Sequence, residues 1–269
     1  MPWSGNMADH SSGGIQDRGV SGAERGPCLG GDGPLVGILG GMGPAATADF
    51  YAKLVRATPA SRDQEHVRAV IWSDPLIPDR TEALLGGGPD PTPALLRGAM
   101  RLVEAGADMI VVPCNTAHAF LPRVARRIDV PIVDMIGAAA AAAARMKPAF
   151  AAVGLLATTG TVRAGLYQDR LRQVGITVLV PSLVEQDEWV MPAIRAVKAG
   201  AAPGPLLAAA AEKLIERGAA AMIAGCTEVP LGLPEALRVP VIDPAVALAE
   251  AVVARVRAAR SMICSILND

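Results

Sequence analysis

The sequence predicts an α/β protein of two similar lobes, each a mainly parallel sheet flanked by helices, with the functional cleft between them. Three observations carry this. Short aliphatic runs alternate with longer Ala-, Leu- and Arg-rich segments of helical period, the pattern of strand-helix units feeding a parallel sheet. Aromatic residues make up only 3% of the 269 residues against 51% hydrophobic, so the core must be aliphatic, as buried parallel strands tend to be. The chain also matches itself, half against half.

Taken in order, residues 1–33 are rich in Gly and Ser with almost no periodic apolar pattern, and they are expected to form a disordered tail, with Met7 as an alternative start. Cys28 lies in this tail and is assigned no function. From Leu35 the strand candidates are 35–39, 69–72, 109–112, 132–133, 151–155, 177–180, 222–224 and 241–242, with helices filling most gaps. The first lobe is expected over 34–145, completed by a C-terminal helix over 244–269 that ends in a frayed tail carrying Cys264. The second lobe is expected over 146–243.

The repeat is explicit. Gly37-Ile-Leu-Gly-Gly-Met-Gly43 leads to Phe50 and Leu54, and Gly154-Leu-Leu-Ala-Thr-Thr-Gly160 leads to Tyr167 and Leu171 at the same spacing. Each copy reads as strand, small-residue turn, helix. Leu102-Val-Glu-Ala-Gly106 then precedes Cys114-Asn-Thr116, as Leu214-Ile-Glu-Arg-Gly218 precedes Cys226-Thr-Glu228. Val130-Pro-Ile-Val-Asp134 and Val239-Pro-Val-Ile-Asp243 close the two halves. Each half therefore places one cysteine just after a strand, where open α/β sheets bind ligands.

Composition excludes several classes. Lys plus Arg (25) nearly balances Asp plus Glu (26), so no strong field points to nucleic acid or an anionic membrane surface. A small-molecule partner fits better. The N-terminus lacks a signal-peptide core and the longest alanine run, 138–144, is too short to span a bilayer, so a cytoplasmic protein is expected. Four scattered cysteines and three histidines, His10, His66 and His118, give a structural metal little to build on, and no metal is expected.

Two thiols facing one another across a cleft can remove a hydrogen from one face of a tetrahedral carbon and return one to the other. An ordinary thiol, with a pKa of about 8.5, is mostly protonated at neutral pH, so an electropositive neighbourhood is needed, and helix N-termini are the expected source. Asn115, Thr116 and Thr227 suit either helix capping or carboxylate binding. Glu228 suits either orientation of Cys226 or a first-turn acid against a helix dipole. His118 stands either as a tuner of Cys114 or as a structural, hydrogen-bonded histidine.

The turn Gly40-Gly-Met-Gly43 does not have the spacing of a dinucleotide fingerprint, and no P-loop lysine follows it. It reads instead as a tight turn that lets a ligand approach backbone amides, a role open to Thr158-Thr159-Gly160 in the other half. Lys53, Lys147, Lys198 and Lys213 sit in no motif that signals pyridoxal phosphate. Arg80, in Pro78-Asp-Arg-Thr81, is either an exposed helix-start arginine or a bidentate grip on a carboxylate.

From Leu35 to about Ala254 the chain resembles the aspartate racemase branch of the aspartate/glutamate racemase family. Six ordered motifs carry the resemblance: Gly37-Ile-Leu-Gly-Gly-Met-Gly-Pro44, Arg62-Asp-Gln-Glu-His66, Ile77-Pro-Asp-Arg-Thr81, Pro113-Cys-Asn-Thr-Ala-His118, Leu155-Leu-Ala-Thr-Thr-Gly160 and Ala224-Gly-Cys-Thr-Glu228. Ser73-Asp74 departs from it, standing where asparagine-rich sequence belongs. The resemblance implies two α/β lobes, a homodimer, no cofactor, and interconversion of L- and D-aspartate by Cys114 and Cys226. It implies carboxylate-binding roles for Arg80 and Lys198, and substrate contacts for Met42, Asn115 and Thr116. Gly43, Thr159, Gly160, Thr227 and Glu228 complete the expected substrate-binding set. Two alternatives keep the fold: a glutamate or broad-specificity racemase, and another isomerase or decarboxylase of the superfamily. A third is a non-catalytic protein whose lobes close on an amino acid.

Overall fold

The structure is a computed structural model that describes residues 33–146, 150–234 and 237–268, apart from the side chains at 263, 264 and 266–268. The expected tail, with Cys28 and all but Gly33, lies outside the described residues, as does the side chain of Cys264.

The first half runs β1 (Leu35–Gly40), α1 (Pro44–Ala57), β2 (Arg68–Ser73), α2 (Arg80–Leu85), α3 (Thr92–Glu104), β3 (Met109–Val111), α4 (Leu121–Ala125), β4 (Ile132–Val133) and α5 (Met135–Arg145). The second runs β5 (Ala152–Ala157), α6 (Thr159–Arg163), α7 (Leu166–Arg172), β6 (Thr177–Leu179), α8 (Leu183–Glu185), α9 (Met191–Lys198), α10 (Leu206–Glu216), β7 (Met222–Gly225), α11 (Val229–Gly232) and β8 (Val241–Ile242). The long α12 (Pro244–Asn268) closes the chain. A π-helical turn, Gln186–Val190, joins α8 to α9.

All eight strand candidates are strands, within two residues at each end. They form two four-stranded parallel sheets of the same order, β2-β1-β3-β4 and β6-β5-β7-β8. Each central strand is buried on both faces, which explains its continuous aliphatic sequence. Val36 and Ile38 of β1 pack toward α1 and α12, while Leu39 packs toward α3. Equivalent glycines make the same close approach in each half. A side chain at Gly37 would meet Leu102 of α3, and one at Gly154 would meet Leu214 of α10.

The helices that end the two halves cross over. Ile136, Ala139, Ala140 and Ala143 of α5 pack with Val153, Leu155 and Ile223 of the second sheet. Leu248, Val252 and Val256 of α12 pack with Val36, Ile38 and Phe50 of the first. A boundary at residue 145 therefore groups α5 with the wrong sheet: its core lies with the second. Asp134 and Asp243 begin the two crossovers, each accepting a backbone hydrogen bond in the first turn, from Gly137 at 3.0 Å and from Ala245 at 2.8 Å. A helix of small side chains such as α5 can pack closely on a sheet and on a neighbouring helix at once.

Candidate active site

Both cysteines follow the carboxyl ends of central strands. Cys114 stands three residues past β3 and leads into a single 3₁₀ turn, Thr116–Ala119, while Cys226 follows β7 directly and precedes the four-residue α11. Both thiols are free, each is 6% exposed, and they line the same cavity. Single turns carry little dipole. Two side-chain cations, Arg80 and Lys198, line the same cavity, and of the two it is the Lys198 charge that favours the Cys226 thiolate.

Arg80 is buried at 8% exposure, so it is not the exposed helix-start arginine that its position allows. Asp79 caps α2, accepting from the backbone of Thr81 and Glu82, and this turns Arg80 inward. Its Nη1 donates to the carbonyls of Ile77 and Pro78 at 3.0 and 2.9 Å, and Nη2 donates to that of Met42 at 3.2 Å. Its Nε is buried without a partner. Lys198, the last residue of α9, is exposed at the rim. Burial of its ammonium works against the charge, but Cys226, Glu228 and Cys114 around it prevail and hold its pKa above the usual lysine value. Among the described residues neither cation is ion-paired.

The second thiol has a carboxylate beside it. Cys226 Sγ donates to Glu228 Oε2 at 2.9 Å, and Thr227 Oγ1 donates to the same oxygen at 3.2 Å. Burial first, then the Glu228 charge and this hydrogen bond, push the Cys226 thiol well above the ordinary value, so it stays protonated through neutral pH. Glu228 makes no side-chain cap to α11, and its carboxylate is engaged by Cys226 and Thr227.

The residues after Cys114 do not cap either. Thr116 Oγ1 pairs with Thr158 and Thr161, both at 2.9 Å, a three-hydroxyl cluster joining the halves. Asn115 is 2% exposed; its Oδ1 accepts from the Tyr167 hydroxyl, and its Nδ2 is buried without a partner. His118 is structural: Nδ1 bonds the Cys114 carbonyl at 2.9 Å and Nε2 accepts from the backbone of Met135 at 3.2 Å. With that acceptor role Nδ1 carries the proton.

A cavity of about 10 Å³ brings together Met42, Arg80, Cys114, Asn115, Thr116, Lys198, Cys226, Thr227 and Glu228 of the expected set. A second, of about 220 Å³, shares Met42, Arg80, Lys198 and Glu228 with it and adds Gly43. Thr159 and Gly160 fall outside both linings. Thr159 is engaged with Gln186 and Met191, and Gly160 packs against Thr81 and Thr116. Thr158 takes the place in the lining that the turn offered to its neighbours. Thr158 was read only as part of the turn it shares with Thr159 and Gly160, and Asp79 and Thr81 were not singled out as site residues, although Asp79 carries a visible N-cap signal ahead of Arg80. Tyr167 was also missed, and its signal was a tyrosine at the repeat position where the first half has Phe50.

The architecture and site define a two-lobed α/β protein that sets paired thiols against unpaired cations at one cavity. The sequence model for "Asp/Glu/Hydantoin racemase" matches residues 39–252, and the chain belongs to that family. A Picrophilus torridus aspartate racemase structure superposes with a TM-score of 0.72 at 35% identity, over 84% of this chain and 95% of the other. An aspartate racemase homologue from Pyrococcus horikoshii OT3 gives a TM-score of 0.65 at 25% identity, over 82% and 98%. By sequence, a broad specificity amino-acid racemase from Bacillus subtilis is 29% identical over 58% of this chain, and a glutamate racemase from Deinococcus radiodurans 35% identical over 50%. These matches span 66% and 46% of the two relatives' own lengths.

Proposed function

We propose that this protein interconverts L- and D-aspartate without a cofactor, Cys114 and Cys226 acting as opposed base and acid at Cα. The observation that carries this reading is the meeting of the two thiols with Arg80 and Lys198, neither of them ion-paired among the described residues, at one cavity. Two cations without carboxylate partners suit a substrate with two carboxylates. Likeness to the Picrophilus aspartate racemase, at 35% identity over 84% of the chain, supports aspartate as the substrate.

In the proposed cycle the Cys114 thiolate takes the α-hydrogen as a proton, leaving a carbanion whose charge spreads into the α-carboxylate. The Cys226 thiol delivers its own proton to the opposite face. Cys114 ends as the thiol and Cys226 as the thiolate, the arrangement that accepts the other enantiomer, so the reverse reaction restores the start. Met42, Gly43, Asn115, Thr116 and Thr227 contact the substrate in this reading, and Thr159 and Gly160 support it from outside the lining. The cavity at the thiols holds about one water. Substrate entry therefore requires the halves to separate, from the side of the larger neighbouring cavity. A cytoplasmic homodimer belongs to the same proposal, and sedimentation of the purified chain checks its assembly.

The test is α-hydrogen exchange of L-aspartate in heavy water, followed by proton NMR, with chiral chromatography for D-aspartate. Exchange with D-aspartate formation is expected, and Cys114→Ser or Cys226→Ser should abolish racemisation. Undiminished turnover in either variant overturns the mechanism, exchange on glutamate alone moves the substrate, and saturable binding without exchange supports the non-catalytic reading.

A further inference from the structure

The two halves differ at one buried position in a way that bears on the cavity. Phe50 and Tyr167 are equivalent in the repeat, and both are fully buried in their cores. Only the tyrosine has a hydroxyl, and it crosses from α7 in the second half to Asn115 in the first, donating to Oδ1. Asn115 directly follows Cys114 and lines the cavity that both thiols line. With Oδ1 occupied, the amide cannot turn over without losing that bond, and Nδ2 is left buried with no partner. An orphaned donor in a buried site is costly unless something arrives to accept from it. Beside Cys226 the equivalent residue is Thr227, whose hydroxyl goes to Glu228, so nothing comparable is presented there.

We propose that Tyr167 is a positioning residue: its hydroxyl locks the Asn115 amide with Nδ2 toward the cavity, as a donor to a substrate carboxylate. This rests on the reading that the cavity takes an amino acid. Burial holds the Tyr167 hydroxyl well above its ordinary pKa, with the Asp243 and Asp134 charges adding to this, so it remains a donor throughout the working range.

Tyr167→Phe tests this and installs the residue that the first half carries at the same place. The expected result is a KM for aspartate raised about tenfold, with kcat little changed. In an Asn115→Ala background the same substitution should add nothing, because Tyr167 acts only through that amide. Kinetic constants equal to wild type, or an undiminished tenfold effect in the Asn115→Ala background, overturn the inference while leaving the proposed function standing. If the wild type neither binds nor exchanges any amino acid of a substrate panel, both fall together. Should Tyr167→Phe not fold, titrating the wild-type protein with succinate while following the Asn115 side-chain amide by nitrogen-proton NMR decides: a large shift supports the donor role, and an unmoved resonance at saturation overturns it.

Discussion

Folding leaves several polar groups beside the thiols incomplete. Arg80 Nε and Asn115 Nδ2 are buried without partners, and each such group costs on the order of 1–3 kcal/mol if nothing satisfies it. Cys226 is the reverse case, a thiol over-provided with reasons to keep its proton. The Glu228 carboxylate both accepts from Sγ and opposes thiolate charge. Glu228→Gln removes the charge, so the Cys226 pKa should fall. The alkaline limb of the pH–rate profile should then move to lower pH in the direction that uses Cys226 as acid, and the acidic limb in the direction that uses it as base. An unmoved limb in stopped assays from each enantiomer would show that Glu228 does not set the proton affinity of that thiol.

At the scale of elements, His118 joins the turn after Cys114 to the start of α5. Its burial outweighs the pull of the Cys114 carbonyl and the Asp134 charge, and holds its pKa below the ordinary value of about 6.5. The unfolded chain therefore binds this proton first as pH falls. The stabilisation from the neutral ring is complete above the unfolded value and is lost on descending through it toward the lower folded one. The melting temperature should drop between about pH 7 and pH 5. His118→Gln should lower it at pH 7 and flatten that slope, so an unchanged slope by calorimetry would assign the acid sensitivity elsewhere. The turn before α1 is under a different constraint. Gly41 has φ +94°, and a side chain there would stand 2.3 Å from the Asp74 backbone, which ties the turn carrying Met42 to the end of β2.

For the whole molecule, the groups through which the two halves touch near the site include the Thr116–Thr158–Thr161 cluster, the Tyr167–Asn115 bond, Glu228 beside Gly43, and Gly160 against Thr81 and Thr116. A Cβ at Gly160 would lie 2.9 Å from Thr81 Cα and 3.1 Å from Thr116 Cγ2. Gly160→Ala should hold the halves apart at this point at a cost of roughly 1–3 kcal/mol. The expected outcome is a kcat/KM lowered about tenfold with each sheet still folded by circular dichroism. Wild-type kinetics would show that closure at Gly160 is not needed. Among the described residues no helix is long and apolar enough to cross a membrane.

The eight strands were legible because parallel strands buried on both faces must be short aliphatic runs, and each run here is bounded by small or polar residues. Cys114 and Cys226 were legible because the repeat sets both at strand ends, where a parallel sheet opens to its ligand. The return of α12 to the first sheet was expected, but the crossing of α5 to the second was not, since an alanine-rich helix presents much the same surface to either sheet. The residues around Arg80 left it open between an exposed helix start and a carboxylate grip, because its burial depends on the carbonyl of Met42, 38 residues away. Tyr167 stood in sequence only as the counterpart of Phe50; it is core, and its hydroxyl reaches Asn115 across 52 residues and between halves. Sequence by itself determined what recurs locally: strands, turns and one cysteine in each half. Tertiary structure alone decided which polar groups meet across the cleft and which stay unpaired, because a hydrogen bond between distant segments leaves no period or spacing in either of them.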